Sequence, residues 1–597
     1  MEKVLDRSAV RKEDTWDIES IYKEIKDWQK DYEKCIEKIN TLEKKKKTFL
    51  KNATNFKEFV IESDELERVL EKVYVYANLK SNEDMANTTY QELLGKSSNL
   101  YQIYSEKMNV IPAILKEKKE KIEKFITEEE ELEPYRYMIE TILRYQGHNL
   151  SEKEEKIISS YNSVLSSASK TADMLMDADM RFGNILDEDE KEVELTQSNY
   201  GIYIRSKNRR VRKDAFLKLH QVFASFKNTL TSTLESTVKY HSTTARLKNF
   251  NSSLDLALFS DNIPTSLYHN LIQVVHNNLD SLYEYFAIKK DKLGLEEYHL
   301  YDGYVTTIPS ISKKYSFEEG KDLVINALSV LGEDYINILK QAFTDRWIDK
   351  YPNRGKTSGA YSSGTYDTKP FVLLNYTEDY NDVSTLAHEL GHSMHSYLSN
   401  KNNNHTNASY SIFLAEIAST VNELLLSYYM EHHAKDSDEK LAILNERLDT
   451  FKGTVFRQTM FAEFELYMHE LVDKNEVLTA DKLCDKYYEL NKLYFGNNVV
   501  VDDEIRYEWL RIPHFYRPFY VYQYATGLSI ASFIAKNILE EKPGFREKYI
   551  TFLSSGGKND PLELLKIIDV DLTDTKVFDE AMEMFTKTKD TFKQLQS

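Results

Sequence analysis

A histidine pair separated by one helical turn is the strongest chemical signal in the sequence. The segment His388-Glu389-Leu390-Gly391-His392 has the spacing H-E-x-x-H. On an α-helix the two histidines lie about 40° apart around the axis and one turn apart along it, so both imidazoles can reach one ion, as a tetrahedral zinc site requires. The glutamate lies on the flank of that face, where its carboxylate can hold a water bound to the same ion.

A strand and an amphipathic helix are the elements that must position this pair. The segment Phe371–Tyr376 follows a glycine-rich loop and is rich in residues that favour strands. Asn381 and Asp382 are good N-cap residues, so we expect the helix to begin there. The helix side opposite the histidines is apolar and consists of Leu386, Leu390 and Met394. The ligand face is therefore polar and the back of the helix is predicted to be core.

Zinc needs a third protein ligand, and a later segment supplies a candidate. The segment Ser411–Glu423 is predicted to be a helix of mostly apolar and small residues, with Glu416 inside it. Because a lone carboxylate in such surroundings is costly to bury unless it is paired or binds a metal, Glu416 is predicted to be buried and a ligand. Glu423 lies on the same face, as a partner of a ligand or in an ordinary polar contact. His395 is the weaker candidate, because it lies about 10 Å from His388 along the helix axis.

A second group of candidate residues lies nearer the C-terminal end. The tyrosines Tyr520 and Tyr524 are four residues apart, which predicts a shared helix face, and His514 precedes them. A histidine and a phenol donor are groups that can stabilise the tetrahedral oxyanion of an acyl-transfer reaction. Because the chain contains 41 tyrosines, plain aromatic packing explains the segment equally well.

Composition favours a mostly helical protein. The 597 residues include only 18 glycines and 10 prolines, too few for the turns of an all-β chain or for a long disordered region. One apolar stripe with helical spacing consists of Leu66, Leu70, Val73 and Ala77. The charge run Asp187–Glu192 is predicted to be a solvated turn. We therefore expect an N-terminal helical lobe over residues 1–194 and a catalytic region over residues 195–597.

Charge and cysteine content disfavour several classes of protein. The chain has 78 Lys and Arg against 97 Asp and Glu, a net charge of −19, which disfavours binding to nucleic acids and to anionic membranes. The one dense basic run, Lys44–Lys47, is predicted to be a solvated helix face. The two cysteines, Cys35 and Cys484, imply no disulfide framework. No apolar leader or membrane-spanning stretch is found, so a cytoplasmic protein is expected.

Together these motifs resemble the thimet-oligopeptidase-like zinc metallopeptidases and, within that family, its oligoendopeptidase F branch. The resemblance is carried by His388–His395, Phe413–Ser419, Asp14–Tyr22, Lys356–Tyr361, Pro370–Val372 and the set His514, Tyr520 and Tyr524. It spans nearly the whole chain. The resemblance implies a mostly α-helical, two-lobed peptidase with a deep central channel, a small β element beside the H-E-x-x-H helix, one Zn²⁺ and short peptides as substrates.

The resemblance also implies individual roles. The implied zinc ligands are His388, His392 and Glu416. The implied catalytic base is Glu389, and the implied transition-state donors are His514, Tyr520 and Tyr524. Two departures stand out: the spacing from His514 to Tyr520 is one residue longer than in the thimet branch, and Thr420 stands where thermolysin-type enzymes have an aspartate that orients a zinc histidine. Which group orients the histidines therefore stays open at the level of sequence.

The predicted reaction is hydrolysis of internal bonds in short oligopeptides, with Glu389 taking the proton of the attacking water. The strand Phe371–Tyr376 is expected to pair with the substrate backbone as an edge strand. Two alternatives stay open. The first is another helical H-E-x-x-H enzyme, a carboxypeptidase or dipeptidyl carboxypeptidase. The second is a non-catalytic helical binding protein with a vestigial metal site, against which the intact glutamate argues.

Overall fold

The computed structural model describes residues 5–308 and 313–596, and the structural statements below refer to these residues. This part of the chain is mostly α-helical with a few short strands, which confirms the predicted fold class. Within the same residues, no helix combines the length and apolarity that crossing a membrane requires.

The elements are labelled in chain order. The helices before residue 309 are α1 (Ile25–Lys45), α2 (Ala53–Glu83), α3 (Thr88–Met108), α4 (Ile111–Glu117), α5 (Lys119–Glu128), α6 (Arg136–Arg144), α7 (Glu152–Leu165), α8 (Ser167–Asp173), α9 (Gln197–Tyr203), α10 (Arg209–Ser225), α11 (Lys227–Leu247), α12 (Ser253–Phe259), α13 (Thr265–Asn277) and α14 (Leu279–Lys292). The helices after it are α15 (Phe317–Ala327), α16 (Glu333–Thr344), α17 (Tyr380–Asn402), α18 (His405–Ala408), α19 (Ile412–His432), α20 (Ser437–Phe451), α21 (Arg457–Asp473), α22 (Ala480–Phe495), α23 (Tyr522–Leu539), α24 (Phe545–Leu553), α25 (Pro561–Leu565) and α26 (Lys576–Gln596). The strands are β1 (Asn184–Leu186), β2 (Glu192–Glu194), β3 (Ile348–Asp349), β4 (Tyr361–Ser363) and β5 (Phe371–Leu373).

Packing divides the chain into two compact units, each built from three separate stretches. The first unit comprises Met1–Asn149, Ser312–Met430 and Ile534–Val570. The second unit comprises Leu150–Ile311, Glu431–Phe533 and Asp571–Ser597. This division differs from the predicted single boundary at residue 194. The acidic run is a turn as predicted, but it joins β1 to β2 in a hairpin inside the second unit, so it does not separate lobes.

Three long helices, α1, α2 and α3, pack side by side in the first unit. The predicted stripe on α2 is fully buried and consists of Leu66, Leu70, Val73 and Ala77. The indole nitrogen of Trp28 on α1 donates a hydrogen bond to the carbonyl of Val73 on α2, at 2.8 Å. Apolar burial and this buried hydrogen bond together fix the register of the helix pair.

A three-stranded sheet in the order β3-β5-β4 lies beside α17 in the first unit. Strand β5 is parallel to β3 and antiparallel to β4. The segment Phe371–Tyr376 does contain a strand, but the expectation that it is an edge strand is wrong. Its partners come from residues 348–349 and 361–363, and a pattern of strand-forming residues does not encode such long-range pairing. Both hydrogen-bonding sides of β5 are therefore occupied.

The N-terminal segment packs against this sheet. The indole nitrogen of Trp16 donates to Glu83 at 2.8 Å, and its ring meets the ring of Phe371 on β5 edge-on, with centroids 6.3 Å apart. The ammonium group of Lys356 lies 2.6 Å from a carboxylate oxygen of Asp349 on β3, and both side chains are buried. Residues around Trp16 and Lys356 therefore pack against the sheet beside α17, the helix that carries His388 and His392.

The C-terminal part of the first unit also packs on α17. Helix α24 contacts α17, and the ring of Phe552 lies 5.9 Å from the ring of His395. The side-chain amide of Asn403, which follows α17, donates to the carbonyl of Ser554 at 2.9 Å. Residues more than 150 positions apart in the chain therefore complete the packing around α17.

Candidate active site

Helix α17 carries the histidine pair. It begins at Tyr380, slightly before the predicted start, because the carboxylate of Asp379 caps it by accepting a hydrogen bond from the N–H of Asp382 at 3.0 Å. The predicted apolar back of the helix is confirmed and consists of the fully buried residues Leu386, Leu390 and Met394. A rigid, capped helix with one buried side fixes the direction in which the opposite side faces.

Helix α19 crosses α17 at Gly391, inside the H-E-x-x-H segment. A Cβ atom at this position would lie 2.6 Å from the Cα atom of Ser419 and 2.7 Å from the carbonyl oxygen of Ala418. No residue larger than glycine fits at this contact without a shift of the helices. The amide of Asn422 donates to the carbonyl of Ala387 at 3.1 Å and holds the same crossing.

The close crossing brings two histidines and a carboxylate together. The Nε2 atoms of His388 and His392 are 3.2 Å apart. The carboxylate oxygen Oε2 of Glu416 lies 3.4 Å from the first and 3.5 Å from the second. Among the described residues, these three form the one group of histidine, cysteine and acidic side chains spaced to hold a metal ion.

These separations fit a common ion. Three ligand atoms that each lie about 2.0–2.1 Å from a zinc ion in tetrahedral geometry are about 3.3–3.4 Å apart from one another. The observed distances of 3.2, 3.4 and 3.5 Å scatter around that value. Two imidazoles with one carboxylate is also a donor set that suits zinc, with a fourth position left for water or substrate.

Glu416 is more exposed than the sequence predicts. Its side chain is 44 % exposed, whereas its neighbours Ile417 and Ala418 are buried. The predicted burial is wrong because the apolar residues around Glu416 occupy the other faces of α19, while the carboxylate lies on the face that meets the histidines. Glu416 is therefore a candidate ligand because of its distance to His388 and His392 and not because of its burial.

Glu423 orients one of the histidines. Its carboxylate oxygen Oε1 lies 3.2 Å from Nδ1 of His388. With Nδ1–H donating to this carboxylate, the lone pair of Nε2 points toward Glu416 and His392, which is the tautomer a metal ligand needs. Of the two alternatives left open for Glu423, the structure favours the partner of a ligand. Glu423 lies two helical turns beyond Glu416, so its carboxylate can orient a histidine although Thr420, one turn beyond Glu416, cannot.

The electrostatics of the cluster are strongly coupled. Burial lowers the pKa of His388, but hydrogen bonds to Glu416 and Glu423 outweigh burial and raise that pKa to about 10. The same hydrogen bonds, from His388 and His392, hold the pKa of Glu416 well below its usual range. The carboxylates thus favour positive charge at the imidazoles, and a cation held between the two Nε2 atoms and Glu416 would supply that charge in place of a proton.

Glu389, the predicted base, is buried next to the cluster. Burial raises its pKa, and the adjacent imidazoles of His388 and His392 act in the opposite direction. A carboxylate with a raised pKa is a better proton acceptor at neutral pH than one in water.

His395 lies outside the cluster. Its ring stacks on the ring of Tyr410 with centroids 3.7 Å apart and planes 6° apart, and burial lowers its pKa to about 3. The neutral, stacked ring is part of the buried core around α17, and His395 is not among the residues spaced to hold a metal ion.

The second group of predicted residues lies in the second unit and forms a ring cluster. The ring of His514 is parallel to the ring of Tyr520, within 4°, with centroids 6.1 Å apart. Tyr524 meets both rings nearly at right angles, at 6.1 Å from His514 and 5.4 Å from Tyr520. All three side chains are half-buried, whereas Phe515 and Phe519 of the same segment are buried.

Tyr520 does not lie on the predicted helix. Helix α23 begins at Tyr522, and His514 belongs to a 3₁₀ turn, Pro513–Tyr516. The two tyrosines are close because Tyr520 lies in the turn that leads directly into α23, where the N–H of Gln523 donates to the carbonyl of Tyr520 at 3.2 Å. Burial lowers the pKa of His514, and the charge of Arg517 adds to that effect, so the ring is neutral near pH 7.

Sequence reasoning missed the residues that bring the two metal-site helices together. Gly391 and Asn422 set the distance between α17 and α19, and Ser419 both packs against Gly391 and donates its hydroxyl to Oε2 of Glu416 at 3.2 Å. The available signal was a glycine inside a strong helix pattern together with the small pair Ala418-Ser419, which is typical of close helix contacts.

Comparison with known proteins agrees with this fold. A family described as "Peptidase family M3" matches residues 202–584, and one described as "Oligopeptidase F" matches residues 114–182. The chain is 41 % identical over 591 residues to "Oligopeptidase PepF" of Bacillus subtilis, covering 99 % of this chain and 88 % of that relative. The chain therefore belongs to peptidase family M3, and the predicted resemblance is confirmed.

Solved structures give the same result. A "putative peptidase from Chlamydophila abortus" superimposes with a TM-score of 0.92 at 36 % identity, covering 99 % of this chain and 100 % of that one. An "oligoendopeptidase-F from Enterococcus faecium" superimposes with a TM-score of 0.75 at 34 % identity, covering 96 % and 99 %. The family and these neighbours make the chain a helical peptidase.

Proposed function

We propose that the chain is a zinc-dependent endopeptidase that hydrolyses internal bonds of short oligopeptides. The observation that carries this proposal is the triangle of ligand atoms from His388, His392 and Glu416, with separations of 3.2–3.5 Å, beside the buried Glu389. Relatives that are 36–41 % identical bear the names oligopeptidase or oligoendopeptidase F, which supports short peptides as the substrates.

One Zn²⁺ would be held by the two Nε2 atoms and the carboxylate of Glu416. When bound, the ion would polarise the scissile carbonyl and lower the pKa of a nearby water toward about 7. The chain's own contribution is to keep the imidazoles in the ligand tautomer, through Glu423 for His388, and to keep the three donors in place through the crossing at Gly391.

Glu389 is the proposed general base. Its carboxylate accepts a proton from the attacking water as the water oxygen bonds to the carbonyl carbon. The carbon–nitrogen bond then breaks while Glu389 passes that proton to the leaving amine, so the carboxylate returns to its starting state. The raised pKa of Glu389 supports both steps, because a base that accepts the proton readily near neutral pH can also release it.

The donors proposed for the oxyanion are Tyr520 and His514, with Tyr524 as a third. Their half-buried side chains in one ring cluster support this role, because buried packing residues would not present polar atoms. A neutral His514 can donate through one ring nitrogen, and the phenols donate through their hydroxyl groups.

Substrate pairing is reassigned from β5 to β4. The segment Phe371–Tyr376 cannot add a strand, because β5 is paired on both sides. The outer strand β4 contacts the metal helix, and the hydroxyl of Ser362 on β4 lies 2.9 Å from that of Ser393 on α17. We therefore propose that a peptide backbone pairs along the free side of β4.

A cytoplasmic location belongs to the same proposal. Its support is the cysteine content, since Cys35 and Cys484 are both free thiols buried in the core, as expected where thiols stay reduced. Fractionation of producing cells followed by immunodetection tests the location.

Digestion of defined peptides tests the activity. Peptides with acetylated N-termini and amidated C-termini should be cut at internal bonds, identified by mass spectrometry, and intact casein should resist. A chelator should abolish the cleavage, and added zinc should restore it. Stepwise C-terminal trimming of free peptides, with the blocked peptides left intact, would instead establish the carboxypeptidase alternative. A purified protein without bound metal that cuts no peptide even with added zinc would point to the non-catalytic binding protein.

A further inference from the structure

The backbone at Phe519, the residue before Tyr520, has a conformation that needs support. Its φ angle is +51°, in the left-handed region where the Cβ atom of an L-residue crowds the following carbonyl oxygen. Glycine, asparagine and aspartate account for most residues in this region, and a large aromatic residue is unusual there. Such a residue persists only where its surroundings hold it.

The support is a buried carboxyl group. The N–H of Phe519 donates a hydrogen bond to Oε1 of Glu465 at 2.6 Å. Glu465 lies on α21 and is 0 % exposed. The ring of Phe519 is clamped by two further rings of the second unit: Tyr268, at 5.6 Å and 80°, and His469, at 4.5 Å and 44°.

The carboxyl group of Glu465 has one hydrogen-bond partner among the described residues, the N–H of Phe519. The second oxygen, Oε2, is buried and has no hydrogen-bond partner among the described residues. Burial raises the pKa of Glu465 well above its usual range, and the N–H of Phe519 acts against that shift. Burying a carboxyl group costs free energy unless it is hydrogen-bonded, so the bond from the Phe519 N–H is important for keeping Glu465 at this place.

The direction of the chain at Phe519 decides where Tyr520 points. The Cα–C bond of Phe519 leads directly to Tyr520, whose ring is parallel to that of His514 and perpendicular to that of Tyr524. If φ at Phe519 relaxed to the ordinary negative range, the next side chain would leave the backbone in a different direction. The ring cluster would then lose the orientation that presents the Tyr520 hydroxyl.

We propose that Glu465 is a positioning residue for Tyr520: it accepts the Phe519 N–H and thereby holds the left-handed backbone that aims the phenol. This inference rests on the proposed role of Tyr520 as an oxyanion donor. The hydrogen bond of its side chain goes to the Phe519 backbone, so its effect on Tyr520 is transmitted through the backbone.

A double-mutant cycle tests the proposal. The variants are E465Q, E465M, Y520F and E465M/Y520F, each compared with the unmodified chain for kcat, KM, metal content and melting temperature. Gln keeps an acceptor oxygen at the same reach, so E465Q should keep kcat within about twofold. Met fills the space without an acceptor and leaves a buried N–H unpaired, so E465M should lose kcat by about tenfold with KM little changed. In the Y520F background, E465M should lower kcat no further, because the hydroxyl to be aimed is gone.

The outcomes separate this inference from the proposed function. A normal kcat in E465M, or an equal fold-loss from E465M with and without the Tyr520 hydroxyl, would overturn the positioning role. A normal kcat in Y520F would remove Tyr520 from the reaction and with it the basis of the inference. If E465M does not fold, E465D replaces it: its carboxyl is one methylene shorter and should fail to reach the N–H, so unchanged kcat in E465D would also overturn the proposal.

Discussion

The metal-side residues and the aromatic residues are held in place by different kinds of structure. His388, His392 and Glu416 project from two regular helices that cross at a glycine, and charge-assisted hydrogen bonds link them. His514 and Tyr520 lie on a 3₁₀ turn and an irregular segment, where ring contacts and a buried hydrogen bond at Phe519 hold the chain.

Because of this difference, we expect the two regions to respond differently to substitution. Regular helices place ligand atoms to within a few tenths of an ångström, as a metal requires, and such a site fails as a whole when one ligand is lost. A hydroxyl donor on an irregular segment contributes one hydrogen bond to the transition state, so its loss lowers the rate and leaves binding intact.

Replacing the carboxylate ligand should abolish metal binding. We expect Glu416→Ala to lose zinc and with it all peptidase activity, because two histidines alone hold zinc weakly. Atomic absorption of the purified protein measures the metal. His395→Ala is the matched control and should keep zinc despite a loss of core packing around Tyr410. Zinc retained in the first variant and lost in the second would replace Glu416 by His395 as the third ligand.

Removing the base should leave the metal and stop turnover. We expect Glu389→Gln to bind zinc normally and to lose kcat by about a thousandfold, because an amide can hold a water but cannot take its proton. Steady-state kinetics with a quenched-fluorescence peptide measures the loss. If the variant keeps more than about a tenth of the original kcat, a deficit below about 1.4 kcal/mol, another group is the base.

Removing one hydroxyl from the aromatic region should affect the rate alone. We expect Tyr520→Phe to lower kcat by about 10²-fold with KM and zinc content little changed, because the ring and its packing remain and an oxyanion donor acts in the transition state. The matched control is Tyr516→Phe in the same segment, whose hydroxyl pairs with that of Thr233. A kcat within threefold of the unmodified chain would return Tyr520 to a packing role.

Adding one methyl group at the helix crossing should weaken the metal site through the backbone. We expect Gly391→Ala to lose about 1–3 kcal/mol of stability and to bind zinc less tightly, since its Cβ would overlap Ser419. Gly527→Ala is the control: Gly527 lies inside α23 with no atom within 4 Å of an added Cβ, so its stability should rise slightly or stay the same. Thermal unfolding and zinc titration measure both. Equal behaviour of the two variants would contradict the role of the crossing.

The metal side was largely predictable from sequence because it depends on one helical period. The spacing of His388 and His392 and the apolar back of α17 follow from 3.6 residues per turn, and both are seen. The helical period does not show which other element of the chain packs against each face. The exposure of Glu416 depends on which face of α19 meets the histidines, and the central place of β5 depends on a partner strand at residues 348–349.

For His514, Tyr520 and Tyr524, the sequence predicts which residues take part but not the backbone conformation that brings them together. The proximity of Tyr520 to Tyr524 was expected from a shared helix face, yet Tyr520 precedes the helix and reaches its neighbour through an irregular turn. A positive φ angle at a phenylalanine has no local sequence signal, since the residues that favour it are glycine and asparagine. Its cause, Glu465, is 54 residues away in the chain.

The packing of α24 on the metal helix has a consequence for how the protein is made. The first unit is built from three stretches of chain, and the last of them contains Phe552, which lies more than 150 residues after the histidine pair. Chains are synthesised from the N-terminus and domains fold as their residues become available. The core around α17 can therefore close only after α24 has left the ribosome. Chains that stop before α24 lack the packing that holds the histidine-bearing helix in place.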